Sequence, residues 1–143
     1  MTGEPAPPLD IEALLAKTGW PAERMYEDTW RTSFHTRSGT LPLFVRQDPA
    51  GYVSFAILPF LKSPKERDAA DRLYKKLLEL NQSLFMAKFS IDDDLDVVLS
   101  VEYPIADLDE TEFNDALDVL SFYADKHQGE LNRLGQPEQI TTE

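Results

Sequence analysis

A chain of 143 residues with 42% hydrophobic content and no cysteine has the size of one globular domain, and it excludes disulfide frameworks, thiol nucleophiles and Cys-ligated metals. The formal net charge of −12 disfavours binding to phosphate backbones and favours basic partners. No run approaches the roughly 18 apolar residues of a membrane span, and Met1-Thr2-Gly3-Glu4-Pro5 lacks the basic and apolar parts of a secretory leader, so a cytoplasmic protein is expected.

Helix and strand patterns fill residues 9–134, which predicts a single domain; the polar ends 1–8 and 135–143 hold little to bury and are expected to be flexible tails. Asp10 is a natural N-cap and Gly19 a natural stop, which predicts a first helix through Lys17 with Leu14 and Leu15 inward. Met25 to Thr36 then alternates, with Trp30, Thr32 and Phe34 on one side and Arg31, Ser33 and His35 on the other, as a half-buried strand does. Arg37-Ser38-Gly39 turns the chain into a second strand, Thr40 to Gln47, and Asp48-Pro49-Ala50-Gly51 turns it into a third, Tyr52 to Leu61. Pro42 and Pro59 cannot donate ladder hydrogen bonds and mark an edge or a strand end. The third strand is apolar on both faces, with Val53, Phe55 and Ile57 opposite Tyr52, Ala56 and Leu58.

Ser63, Pro64 and Glu66 read as a capping box with proline at the first helical position, and Ala70, Leu73, Tyr74, Leu77 and Leu78 form one apolar stripe behind it. A hairpin of Leu84 to Ile91 and Leu95 to Tyr103 follows, turning at Asp92-Asp93-Asp94. The last helix is signalled by Asp109 and Glu112 as a capping pair and by Leu108 and Phe113 as a hydrophobic staple. Phe113, Ala116, Leu117, Leu120 and Ala124 form its buried stripe, and it is expected to reach about Leu134. The fold class is therefore α+β: a five-stranded antiparallel sheet with three helices in the order α-β-β-β-α-β-β-α.

Catalytic and metal chemistry find little support. Asp92, Asp94 and Asp96 resemble the first ligands of a calcium loop, but Val97 stands where its glycine belongs and Tyr103 where its glutamate belongs, so a hairpin turn is preferred. His35 and His127 have no His or Cys at helical ligand spacing; His35 reads as a solvent-facing strand residue and His127 as a helix C-terminal residue favoured by the dipole. No phosphate-binding glycine loop, dinucleotide fingerprint or nucleophile elbow is present. On the basic second helix, Arg72 and Lys75 can pair with Asp68 and Asp71, which reads as a solvated face rather than a nucleic-acid surface. No enzyme activity, metal or cofactor is expected.

The charge is concentrated. Twelve acidic residues and no Lys or Arg lie between Asp92 and Asp125, and the other 14 acids match the 14 bases, so the whole net charge belongs to this window. Asp92, Asp93, Asp94, Asp96, Asp107, Glu110, Asp115 and Asp118 are its candidates for an acidic docking surface; a solubilising face is the preferred explanation.

Leu77-Leu78-Glu79-Leu80-Asn81, Ala87-Lys88-Phe89-Ser90-Ile91-Asp92, Val97-Val98-Leu99 and Glu102-Tyr103-Pro104, continued by Leu117, Leu120 and Ala124-Asp125, make residues 77–125 similar to the bacterial YbjN family. That family's fold is similar to type III secretion chaperones, and its element order agrees with the one read above. One departure is the hairpin turn, where relatives often carry Gly and this chain has Asp93, Asp94 and Leu95. The resemblance implies no active site. It implies a chaperone-like or adaptor homodimer that binds other polypeptides, with a part in stress response or sensory regulation. The two-faced third strand points the same way and marks Trp30, Phe34, Phe44, Tyr52, Phe55, Ile57, Leu58 and Phe60 as candidates for partner binding or dimerisation. The alternative is a regulator of signalling or transcription that uses its acidic surface on a basic protein. Neither nucleic acid nor membrane is an expected partner.

Overall fold

The computed structural model describes residues 10–135, so most of the two tails lies outside the described residues. Helix α1 (Ile11–Thr18) begins where Asp10 accepts a hydrogen bond from the Ala13 N–H at 3.0 Å and ends at Gly19, whose φ of 76° is cheap for glycine. Ile11 and Leu15, one turn apart, are its buried residues; Leu14 is only half buried.

The sheet has six strands, not five: β1 (Ala22–Tyr26), β2 (Thr29–Thr36), β3 (Gly39–Asp48), β4 (Tyr52–Lys62), β5 (Lys88–Ile91) and β6 (Asp96–Pro104). The run from Met25 to Thr36, expected to be one strand, is broken at Glu27-Asp28. There the Arg24 side chain donates to the carbonyls of Tyr26 and Glu27 at 3.3 and 2.6 Å and closes a turn. Strand β1 is exposed at all five positions, so it carries none of the alternation that reveals β2. The strand order is β1-β2-β3-β4-β6-β5, antiparallel throughout. Neither proline is on an edge strand: Pro42 and Pro59 lie inside the central strands β3 and β4, each where one of its strand's two ladders lapses, and Pro42 still pairs with Ser33 of β2. Pro42 lies just beyond Leu43↔Ile57, the end of the β3–β4 ladder, and Pro59 lies in the register shift between Ile57 and Leu61.

One face of this sheet is covered. Trp30, Phe34, Leu41, Leu43, Val45, Val53, Phe55, Ile57, Phe89, Val97, Leu99 and Val101 point to it and form a single core with the helices. Helix α3 (Glu110–Leu134) starts as its sequence predicts: the Asp109 carboxylate accepts from the Glu112 N–H at 2.8 Å, and Leu108 and Phe113 are both buried. Such a cap stabilises by about 1 kcal/mol. Phe113 packs edge to face on Phe55 at 5.1 Å between ring centres, which joins α3 to the middle of the sheet.

Helix α2 (Arg67–Ser83) differs from its prediction at two points. Its N-cap is Glu66 rather than Ser63, because the Ser63 hydroxyl donates to the Leu95 carbonyl and accepts from the Tyr74 hydroxyl at 2.7 Å. Its buried stripe is Ala69, Leu73 and Leu77, leaving Leu78 outside. The expected pairs of Asp68 with Arg72 and Asp71 with Lys75 are not among the ion pairs of the described residues; Lys76 instead reaches Glu130 of α3 at 3.5 Å.

Candidate functional site

With all helices on one side, the opposite sheet face has no helical layer. Cross-strand register aligns Arg31, Phe44, Ala56, Ser100 and Lys88 in one row across it, and Phe44, Ala56, Leu58 and Val98 are half buried there. Arg31 lies 5.9 Å from the Phe44 ring centre, and Lys88 pairs with Glu102 at 3.2 Å, so an apolar strip runs between charged margins. Of the residues proposed from sequence for partner binding, Phe44, Tyr52 and Leu58 lie on this face. Trp30, Phe34, Phe55, Ile57 and Phe60 point the other way, at most 7% exposed, and are spent on the chain's own core. Alternation shows that a strand has two faces; it does not show which of them the helices take.

Sequence reasoning missed a second apolar surface. Leu78 is 72% exposed, Phe85 77%, Leu95 58% and Met86 50%, and with Ile91 these residues surround β5. Tyr74, Leu77, Leu78, Asn81, Phe89, Ser90 and Ile91 line a groove of about 290 Å³ between α2 and β5. Met86, two residues before β5, and Leu95, immediately before β6, have φ of 68° and 64°, a conformation that costs a residue with a side chain roughly 1–2 kcal/mol. The one sequence signal was Leu77-Leu78, two adjacent leucines on a helix whose buried stripe has room for one.

The acidic window does not form one surface. Asp92, Asp93, Asp94 and Asp96 lie at the β5–β6 turn, where the Asp92 carboxylate accepts from the Asp94 and Asp96 N–H groups at 3.0 and 2.9 Å and Asp96 sits opposite Lys62. Asp107, Glu110, Asp115 and Asp118 follow the other end of β6, with Glu110 paired to Lys17 at 3.3 Å. Nine residues of strand put roughly 27 Å between the two ends, well beyond a Debye length of about 8 Å.

Among the described residues, three groups are shifted from their usual range. Burial, then Glu112 and Asp115, raise Tyr103. The Arg37 backbone N–H and guanidinium hold Asp125 low and tie the β2–β3 turn to α3. Burial keeps His127 neutral to lower pH than usual. His127 is a buried residue stacked 6.1 Å from Tyr123, which replaces its expected role at the helix terminus. His35 is exposed and shares a 2.8 Å hydrogen bond with Thr40.

A family model described as T3SS (YopN, CesT) and YbjN peptide-binding chaperone 1, or TY-Chap1, matches residues 31–135. The chain belongs to this family. The TY-Chap1 match begins inside β2, so α1 and β1 precede it. Solved structures share the fold. The ExoU–SpcU complex from the type III secretion system of Pseudomonas aeruginosa aligns with TM-score 0.61 at 22% identity, over 90% of this chain and 100% of that one. The ExsC–ExsE complex gives 0.59 at 16%, over 83% and 88%. YbjN from E. coli gives 0.58 at 11%, over 84% and 90%. At these identities the likeness is one of fold. No curated protein sequence matches the chain. Among the described residues, no helix is long and apolar enough to cross a membrane.

Proposed function

We propose that this TY-Chap1 chain is a non-enzymatic, chaperone-like or adaptor protein of the cytoplasm that binds extended segments of other polypeptides on its helix-free sheet face. The observation that carries the reading is the half-buried strip of Phe44, Ala56, Leu58 and Val98, uncovered in a member of a peptide-binding chaperone family. Such a strip suits the side chains of an extended segment. Two of the similar structures are complexes of two proteins, ExoU with SpcU and ExsC with ExsE, which supports a partner that is itself a protein. The chain works as a homodimer in this reading, with the α2–β5 flank as the contact, since Leu78, Phe85, Met86, Ile91 and Leu95 leave exposed apolar surface there. A part in bacterial stress response enters this reading only through the sequence resemblance of residues 77–125 to the YbjN family. Regulation through one acidic docking face ranks lower because the acidic residues occupy two ends of the molecule.

The test is binding of a fluorescently labelled, reduced and alkylated protein that stays unfolded, at low and high salt. Apolar recognition predicts affinity that changes less than about threefold between roughly 0.05 and 0.5 M salt. No binding, or binding that collapses in salt, contradicts the reading.

A further inference from the structure

The two edges of the sheet are β1 and β5, and a bare edge presents a row of unpaired N–H and C=O groups. In an antiparallel ladder the backbone groups of alternate residues point away from the neighbouring strand. On β5 these belong to Phe89 and Ile91, with Ala87 preceding them in the same phase. The Phe89 N–H donates to Asn81 Oδ1 at 2.7 Å, and Asn81 Nδ2 donates back to the Phe89 carbonyl at 2.9 Å. This reciprocal pair is what a residue on an adjoining strand would supply. It also fixes the orientation of the amide, since the N–H must meet oxygen and the carbonyl must meet nitrogen. The Ala87 N–H turns back to the Phe85 carbonyl at 2.7 Å, through the left-handed Met86. Of the outward groups, the Ala87 carbonyl and Ile91 are left on either side of the closed Phe89, and groups so interrupted do not make a ladder.

Asn81 sits in the last turn of α2, where asparagine is a poorer helix former than alanine, and its bonds to Phe89 give it a reason to be there. The opposite edge has no such device. All of Ala22–Tyr26 is exposed, and outside the β1–β2 ladder the one bond made to its backbone among the described residues is that from Arg24 to the Tyr26 carbonyl.

We infer that Asn81 acts as a surrogate strand residue that closes the β5 edge of the sheet to backbone pairing with a second chain. It follows that a partner on the α2–β5 flank meets side chains rather than an open strand.

The experiment compares amide hydrogen exchange and sedimentation of the full chain and of its Asn81→Ala variant, with helical circular dichroism as the check on folding. It uses no partner, so its failure is separable from a failure to bind polypeptides. In the unsubstituted protein the Phe89 amide exchanges more slowly than the outward amides of β1. In the variant it speeds up by at least about fivefold, the factor carried by one hydrogen bond of ordinary net strength. The variant also associates beyond the mass of the unsubstituted protein at the same concentration, while β1 amides keep their rates. An unchanged Phe89 rate, or no added association in a folded variant, overturns the inference.

Discussion

Replacing Leu78 with aspartate tests the α2–β5 flank as the dimer contact. Full burial of a leucine side chain is worth about 2 kcal/mol, and with 72% of Leu78 still open to solvent, about 1.5 kcal/mol remains to be gained per protomer. A two-fold contact uses the residue twice, so its loss removes about 3 kcal/mol and weakens dimerisation about a hundredfold. A carboxylate in the contact adds a desolvation cost to that figure. The assay is light scattering at tens of micromolar, where the unsubstituted chain is expected at twice 16.3 kDa and Leu78→Asp at 16.3 kDa. Because Leu78 lies outside the buried stripe of α2, the variant's own fold should lose no more than about 0.5–1 kcal/mol, chiefly from helix propensity. A Leu78→Asp protein that remains dimeric refutes this contact. A monomeric unsubstituted chain refutes the dimer itself.

Phe113→Ala removes a fully buried ring, its edge-to-face contact with Phe55 and half of the staple at the start of α3; urea unfolding should show a loss of about 3–5 kcal/mol with little change in m. A loss below about 1.5 kcal/mol would contradict the packing described. Folding lowers the pKa of His127, through burial first and then Lys126, with Glu130 opposing and Lys76 adding to the shift. The unfolded chain takes up a proton near pH 6.5 while the folded chain resists, so stability is full above that value and falls as pH drops through it toward the lower folded pKa. Urea titrations between about pH 5.5 and 8 should show this slope, and His127→Phe should flatten it. An unchanged slope in a folded variant would remove His127 as its source.

The start of α3 was legible because its signals are local: Asp109, Glu112, Leu108 and Phe113 fall within six positions and use only one another. The start of α2 misled for the opposite reason. Ser63-Pro64 with Glu66 has the spacing of a capping box, yet the serine hydroxyl is engaged by Leu95 and Tyr74, residues that only the folded chain brings near. Strand β1 left no pattern because it buries nothing, and its turn depends on one arginine reaching two carbonyls. For the site, the double-sided apolarity of β4 pointed to apolar surface beyond the chain's own core, and Phe44, Tyr52 and Leu58 lie on the face that the helices leave open. The α2–β5 flank was out of reach: the outward turn of Leu78 depends on where α2 sits over β5, and no composition rule places Met86 and Leu95 in left-handed conformations. Asn81 was visible as part of the stretch shared with YbjN relatives, but its role appears only when Phe89 is set beside it.

The central claim is that the open sheet face holds an extended polypeptide, and Phe44→Asp tests it most directly. Phe44 is half buried at the middle of that face and absent from the core, so the substitution should leave the melting temperature within a few degrees of the unsubstituted protein. Titration of the labelled, permanently unfolded protein with both forms should show at least about a tenfold loss of affinity, the effect of about 1.4 kcal/mol of apolar contact. Equal affinity for a folded Phe44→Asp protein would contradict the account.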